Sequence, residues 1–333
     1  MLQPGPLNLI TDVEGIQVGN AEDERARTGT TVVLPDAPSL AAVDVRGGAP
    51  GTRETDALDP TCLVDHVDAI VLSGGSAFGL EAASAVTNWL AARGRGFAVG
   101  SAVVPIVPAA ILFDLLNGGA KDWGERPPYA ALGRAAAVGA GRRFKLGNVG
   151  AGYGAKAGTL KGGLGSASAV AADGLQVGAL VAVNARGDTV IPGSSCLWAW
   201  ALAQDGEVGA QIPPARPLPL EEPEPPPALA GGHTTIGVVG TNAALDKAEA
   251  QRVAIMAQDG FARAIRPIHT PFDGDTVFVL ATGRWRLPEP RAAALLRIGA
   301  AAADCTARAI MRGVYEAESL GDLASYRERF GVR

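Results

Sequence analysis

The chain has few of the residues on which common catalytic and binding sites depend. Its 333 residues include only three cysteines, three histidines and 5% aromatic residues. Cys62, Cys196 and Cys305 are widely spaced and form no CxxC pair, which argues against a disulfide scaffold or a zinc knuckle and favours a reducing compartment. The first 15 residues contain neither a basic segment nor an apolar segment of the kind found in signal peptides. We therefore expect a cytoplasmic protein.

Charge and hydropathy argue against two further classes of partner. The 29 basic and 34 acidic residues give a net charge of −5, and no Lys/Arg run could follow a phosphate backbone, so nucleic acid is not expected. Residues 96–113 form an uncharged run of the length that a membrane span needs. This run contains Gly100, Pro105 and Pro108, which favours a buried strand and a loop that enters a helix. No membrane partner is expected.

Strand and helix patterns are mixed along the chain. Short apolar runs that are typical of buried strands lie at 30–35, 68–75, 179–188, 234–242 and 275–283. Helical patterns lie at three places in the sequence. The first, at 76–94, has Ser76 as the cap and Gly94 as the stop. The second, at 244–265, has Asp246 as the cap, and the third, at 290–313, ends before Gly313. With 47% hydrophobic residues, the chain can bury a large core. This order predicts an α/β arrangement of sheets that are covered by helices.

One segment breaks the pattern. Residues 213–227 read PPARPLPLEEPEPPP, and such a density of proline cannot form a regular ladder. A surface linker is the simplest interpretation of this segment.

The common catalytic arrangements are absent from the sequence. His66, His233 and His269 are too far apart to suggest a zinc site, and neither H-E-x-x-H nor G-x-S-x-G occurs. The glycine-rich residues 147–158 lack a clear preceding strand and following helix, so they are a weak nucleotide-binding signal. A metallohydrolase, a Ser-His-Asp hydrolase and a dinucleotide-binding protein are therefore not predicted.

The stretch GGHTTIGVV at 231–239 allows another kind of nucleophile. A Thr at a chain N-terminus can use its own α-amine as the general base, because the pKa of that amine is roughly 7.7–8.0. An internal Thr becomes terminal only by cutting the chain before itself, and Gly231 and Gly232 permit the backbone conformations that bring a hydroxyl to the preceding carbonyl. The alternative is an ordinary strand that starts with two β-branched residues.

Residues 233–283 resemble the start of the second subunit in the L-aminopeptidase/D-esterase (DmpA-type) family of N-terminal-nucleophile hydrolases. Within that family they look most like the Thr-nucleophile branch that includes nylon-oligomer (6-aminohexanoate-oligomer) hydrolases. Seven further blocks match in family order, at residues 14–35, 45–58, 70–83, 105–115, 147–158, 161–168 and 181–188.

This resemblance implies a four-layer αββα sandwich in which residues 1–333 form a single folded unit. It also implies self-cleavage between His233 and Thr234, into residues 1–233, with the Pro-rich tail 213–227, and residues 234–333. Family members form ring-like homotetramers, so a homo-oligomer is implied. No metal or organic cofactor is needed by this chemistry.

The resemblance assigns roles to five residues. Thr234 is the nucleophile, and Asp273 and Asp275 match an acidic pair that holds its ammonium or hydroxyl group and tunes its pKa. Lys156 matches an active-site lysine that lowers the pKa of the α-amine or stabilises an oxyanion. Asn184 matches an amide at the oxyanion hole. Without the resemblance, D-G-D would be a turn, Lys156 a solvated loop residue and Asn184 a turn residue at a strand end.

Two positions depart from the family pattern. His233 replaces the Asn that usually precedes the nucleophile; the attacked group is a backbone carbonyl, so the reaction does not require Asn. Phe113 replaces a Tyr that some relatives have in the active site, and it can line a substrate pocket but cannot donate a hydrogen bond.

The leading functional hypothesis is an amide hydrolase that acts through an acyl-enzyme on linear ω-amino-acid oligomers or short peptides. An aminopeptidase for L-amino-acid amides or β-peptides is the alternative within the same chemistry. Transfer of the acyl group to an amine, as in ornithine acetyltransferases, and an uncleaved, non-catalytic binding or scaffold protein are the other hypotheses.

Overall fold

The computed structural model describes residues 1–216, 218 and 232–332, so Gly231 and most of the Pro-rich segment lie outside the described residues. Over the described part the chain forms sixteen strands and five α-helices. The strands are β1 (Leu2–Gln3), β2 (Ile16–Asp23), β3 (Thr28–Pro35), β4 (Ser39–Val45), β5 (Thr52–Arg53), β6 (His66–Val67), β7 (Ile70–Ser73), β8 (Phe97–Val99), β9 (Ala102–Val104), β10 (Ala109–Ile111), β11 (Lys156–Ala157), β12 (Leu160–Lys161), β13 (Gly163–Ala171), β14 (Gln176–Val183), β15 (Ile236–Ala243) and β16 (Thr276–Trp285). The helices are α1 (Glu81–Ala91), α2 (Tyr129–Val138), α3 (Lys247–Ala264), α4 (Arg291–Tyr315) and α5 (Tyr326–Phe330).

The strands form two large sheets and two small hairpins. The seven-stranded sheet has the order β1-β13-β14-β15-β16-β4-β6, and the five-stranded sheet has the order β2-β3-β7-β10-β5. At the centre of the larger sheet, β15 is antiparallel to β14 and parallel to β16. The pairs β8–β9 and β11–β12 are separate hairpins.

Buried side chains divide the molecule into layers. Ile236 and Val238 of β15 pack with Val33 and Leu72 of the smaller sheet, so one core lies between the two sheets. The alternate residue Val239 packs in a second core with side chains of α3 and α4. A third core joins the smaller sheet to α1 and α2. The predicted four-layer αββα sandwich is confirmed, and all five predicted strand segments contain strands.

The three predicted helices differ in how well their ends were placed. Asp246 caps α3 as expected, because its carboxylate accepts the Glu249 amide at 2.8 Å while the Glu249 side chain accepts the Asp246 amide at 3.0 Å. The expected end of α4 before Gly313 is wrong. A β-carbon on Gly313 would lie 2.9 Å from the backbone nitrogen of Gly165 in β13, so the glycine at position 313 permits close packing of the helix on the sheet.

The predictions for residues 76–94 and 96–113 need correction. Ser76 is not an α-helix cap: residues Ser76–Leu80 form a 3-10 turn preceded by Gly75 at φ 86°. Residues 96–113 contain β8, β9 and β10 and do not lead into a helix, because the buried carboxylate of Asp114 binds the Thr28 hydroxyl and the Gly75 amide and holds the chain in a loop. Among the helices of the described chain, none combines the length and hydropathy needed to span a bilayer.

Candidate active site

Thr234 lies two residues before β15, on the face of the larger sheet that meets the smaller sheet. The register pairs Ile236 with Thr276, so Thr234 lies opposite Gly274. The side chain is only 4% exposed. The backbone nitrogen of Thr234 donates to the Asn184 carbonyl at 2.6 Å, and its hydroxyl donates to the carbonyl oxygen of His233, also at 2.6 Å. The hydroxyl of Thr234 therefore contacts the peptide group that joins it to the preceding residue.

Asp273 and Asp275 lie on the other face of the sheet. His233 pairs with Asp273, and Thr235 therefore aligns with Asp275, so both carboxylates point towards the helix layer, away from the Thr234 hydroxyl. Asp275 Oδ1 accepts the amide of Thr235 at 2.8 Å. Asp273 Oδ1 accepts the amide of Arg186 at 3.3 Å. The acidic pair thus holds the backbone of Thr235, directly after Thr234, and the backbone of Arg186, shortly after β14.

The environment of the acidic pair changes the pKa of Asp273. Burial raises the pKa of this carboxyl, and the charge of Asp275 raises it further. The hydroxyl and amide of Thr270 oppose this rise in pKa by donating to Asp273 Oδ2 at 2.5 and 2.9 Å. Asp275 has a different partner, since its Oδ2 lies 2.9 Å from the imidazole Nδ1 of His269.

Asn184 joins four segments of the site. Its side chain is buried, and its Oδ1 accepts the backbone amide of Lys156 at 2.9 Å. Its Nδ2 donates to the Phe113 carbonyl at 3.2 Å and, more weakly, to the Gly232 carbonyl at 3.5 Å. Together with the bond from the Thr234 nitrogen, these contacts bring Phe113, Lys156 and residues 232–234 to one residue at the end of β14.

Two cations lie near His233. Burial lowers the pKa of the His233 imidazole, and the charges of Arg186 and Lys156 lower it further. Lys156 is exposed, and it reaches the site through its backbone bond to Asn184. The side chain of Phe113 is half-buried, and its backbone carbonyl is the part that contacts Asn184.

Residues of a neighbouring loop, which the sequence did not reveal as part of the site, also support it. The amides of Arg46 and Ala49 donate to the carbonyls of Asp275 and Asp273 at 2.9 and 2.8 Å. A β-carbon at Gly47 would lie 2.3 Å from the Asp273 carbonyl oxygen, so only glycine allows this approach. The glycines of the block 45–58 are visible in the sequence, but the sequence does not show which residue they contact in the folded chain. Thr270 and His269 were also missed, although they form a polar pair shortly before D-G-D.

The site brings together a buried Thr hydroxyl, cations and amides, but the described residues include no group of three or more His, Cys, Asp or Glu side chains that could hold a metal ion. The Thr234 hydroxyl in contact with a carbonyl, the Asn184 amide group near the Gly232 carbonyl and the ammonium group of Lys156 near His233 are groups that acyl transfer can use.

Comparison with known proteins agrees with this chemistry. The profile of Peptidase family S58 matches residues 8–326. A protein named as an uncharacterised aminopeptidase from Mycobacterium tuberculosis (strain H37Rv) is 46% identical over 97% of this chain and 98% of its own length. The 6-aminohexanoate-oligomer endohydrolase of Agromyces sp. (strain KY5R) is 30% identical over 83% of this chain and 76% of its own length.

Solved structures share the fold. The β-aminopeptidase of Burkholderia sp. superposes with a TM-score of 0.70 at 22% identity, over 100% of this chain and 97% of its own. The L-aminopeptidase D-Ala-esterase/amidase of Ochrobactrum anthropi, described as a variant of the Ntn-hydrolase fold, gives a TM-score of 0.72 at 21% identity, over 99% and 94% of the two chains. With the Ntn-hydrolase type of fold and a family profile that matches nearly its whole length, the chain belongs to Peptidase family S58 and is an amide-bond hydrolase.

Proposed function

We propose that Thr234 is the catalytic nucleophile and that the protein exposes it by cleaving its own chain into residues 1–233 and 234–333. The observation that carries this proposal is the 2.6 Å hydrogen bond from Thr234 Oγ1 to the His233 carbonyl oxygen. This contact supports the proposal, because the hydroxyl lies beside the peptide bond that it would attack. His233 takes the place of the usual Asn without a chemical obstacle, since its backbone carbonyl is the reacting group.

Self-cleavage proceeds in two balanced steps. Thr234 Oγ1 attacks the His233 carbonyl carbon, its proton passes to the Thr234 nitrogen, and the C–N bond breaks to leave an ester. Water then hydrolyses the ester, which gives His233 a carboxylate and leaves Thr234 with a free hydroxyl and a free α-amine. The bond from the Thr234 nitrogen to the Asn184 carbonyl keeps that amine in place.

Turnover repeats the same chemistry on an external amide. The α-amine takes the proton of Oγ1, the hydroxyl attacks the substrate carbonyl, and the leaving amine accepts the proton. Water hydrolyses the acyl-enzyme. The ammonium of Lys156 favours the neutral form of the α-amine because like charges repel.

Asn184 supports the oxyanion in this proposal. Its contact with the Gly232 carbonyl is long at 3.5 Å, and Gly232 belongs to the segment that cleavage releases. Once that segment is free, Asn184 Nδ2 can donate to the oxygen of the tetrahedral intermediate.

The proposed substrates are linear ω-amino-acid oligomers or short peptides, supported by the likeness to the 6-aminohexanoate-oligomer endohydrolases. An aminopeptidase for L-amino-acid amides or β-peptides is the second candidate, which the 46% identity to a relative named as an aminopeptidase favours. The homo-oligomer implied by the sequence resemblance is retained as a proposal.

A substrate panel tests this function. Purified protein is incubated with 6-aminohexanoate oligomers and with amino-acid p-nitroanilides, and the products are measured for wild type, Thr234→Ala and Thr234→Ser. We expect hydrolysis by the wild type, loss of hydrolysis in Thr234→Ala, and partial activity in Thr234→Ser, which keeps a hydroxyl. Full hydrolysis by Thr234→Ala would contradict the assignment of the nucleophile.

A further inference from the structure

His269 occupies an unusual position beside the acidic pair. Its φ of 56° lies in the left-handed region, which is costly for residues other than glycine and often marks functional sites. Both its backbone nitrogen and its imidazole Nδ1 meet Oδ2 of Asp275, at 3.1 and 2.9 Å. Its ring centroid lies 6.0 Å from that of Phe261 in α3. The backbone conformation and the side chain therefore both direct His269 towards one carboxylate.

Asp275 connects His269 to the strand of the nucleophile. The carboxylate is fully buried, and its other oxygen accepts the amide of Thr235 at 2.8 Å. In the part of the chain that the structure describes, His269 is the only side chain in ion-pair distance of Asp275. One carboxylate oxygen is thus fixed by His269, and the other fixes the residue directly after Thr234.

The imidazole has a defined role in this contact. A carboxylate only accepts hydrogen bonds, so Nδ1 of His269 carries the hydrogen and donates the hydrogen bond to Asp275. Nε2 of His269 is buried and has no hydrogen-bond partner among the described residues. Among the described residues, the hydrogen bond from Nδ1 is therefore the polar contact that the imidazole ring of His269 makes.

We propose that His269 is a positioning residue for catalysis by Thr234. Through Asp275 it fixes the Thr235 amide, and with it the direction in which Thr234 presents its hydroxyl. His269 acts only through Asp275 and transfers no proton to the substrate. This inference rests on the proposed function of Thr234. Without the Nδ1 donor, Asp275 can rotate, so the rate of acylation falls while substrate binding is little changed.

Three variants of His269 separate positioning from packing. His269→Phe keeps an aromatic ring against Phe261 but removes the donor. His269→Asn places an amide N–H near the position of Nδ1 and tolerates a positive φ, whereas His269→Gln places its amide near Nε2. His66→Phe is the matched control, because His66 is exposed and pairs with β4 at the far end of the sheet.

The readouts are kcat and KM for the best amide substrate, with the melting temperature of each variant as a check of folding. For His269→Phe and His269→Gln we expect kcat to fall by about 10- to 100-fold with KM within about twofold, the effect of losing one hydrogen bond to a charged group. His269→Asn should recover most of the rate, and His66→Phe should match the wild type. If His269→Phe does not fold, the positioning role is tested by comparing kcat of His269→Asn with kcat of His269→Gln.

Equal losses in the Asn and Gln variants, or a change confined to KM, would overturn the positioning role. Wild-type hydrolysis that depends on Thr234 but is unaffected in all His269 variants would overturn this inference alone. A wild type whose hydrolysis survives in Thr234→Ala would overturn the proposed function as well. The two failures are therefore distinguishable.

Discussion

Gly274 lies directly across from Thr234, two residues before the parallel strand β16, and a β-carbon at position 274 would lie 2.8 Å from Thr234 Oγ1. The same β-carbon would lie 2.6 Å from the carbonyl oxygen of Ala49. The glycine of D-G-D therefore leaves the space that the Thr234 hydroxyl occupies, in addition to separating the two carboxylates.

Gly274→Ala should displace the Thr234 hydroxyl, because the Ala49 carbonyl blocks the methyl group on the other side. A displacement of about 1 Å at a reacting atom can cost about 100-fold in rate, and we expect a loss of at least that order in kcat/KM. Gly141→Ala is the control, since a β-carbon there meets no atom within 4 Å. Unchanged activity in Gly274→Ala would contradict the placement of the Thr234 hydroxyl.

Thr270→Val should make the enzyme more sensitive to acid. The Thr270 hydroxyl lowers the pKa of Asp273, so its removal raises that pKa beyond the rise caused by burial and by Asp275. Protonated Asp273 no longer accepts all of its bonds, and the acid limb of kcat/KM should move to higher pH. Thr282→Val, on the far part of β16, is the control because its hydroxyl bonds to Glu14. If the acid limb of kcat/KM in Thr270→Val stays in place or moves to lower pH, the proposed effect of Asp273 protonation on activity is excluded.

Lys161 should make stability depend on pH. Burial lowers the pKa of its ammonium from 10.5 to about 7, partly offset by the charge of Asp114. The Lys161 ammonium donates to the carbonyls of Gly152 and Gly162 at 3.1 and 2.8 Å. Because the folded-state pKa is below the unfolded value, the unfolded chain binds more protons between these values, and stability rises with pH there.

Lys161→Met provides the measurement. The free energy of unfolding of the wild type minus that of the variant should increase by about 2–3 kcal/mol from about pH 7 to about pH 9, at about 1.4 kcal/mol per pH unit. Denaturant unfolding at both pH values gives this difference. A difference that is constant or decreases with pH would show that Lys161 does not titrate as proposed.

Local patterns in the sequence predicted much of the fold, while long-range register decided the details of the site. Asp246 predicted the start of α3, because a helix cap involves only neighbouring residues, and in the structure Glu249 completes a capping box with it. Asp273 and Asp275 are two residues apart, and strand alternation puts such a pair on one face. Which face they share relative to Thr234 depends on how β15 aligns with β16, and that is set by packing between distant segments.

The roles of two glycines were also hidden in the sequence, because they depend on contacts between distant segments. Gly313 was predicted to follow the end of a helix, since glycine commonly stands there. Its actual place is inside α4, where the sheet approaches too closely for a side chain. The close approach of Gly47 to the Asp273 carbonyl could not be predicted either, because this contact joins segments more than 200 residues apart.

The most direct test of the account is the identity of the new N-terminus. Purified wild-type protein is separated under denaturing conditions, and each band is analysed by intact mass and N-terminal sequencing, with Thr234→Ala as the control. The account predicts two chains, the smaller beginning Thr234-Thr235-Ile236, and a single uncut chain in the variant. An active wild-type protein that stays a single 333-residue chain, or one cut at another bond, would contradict it.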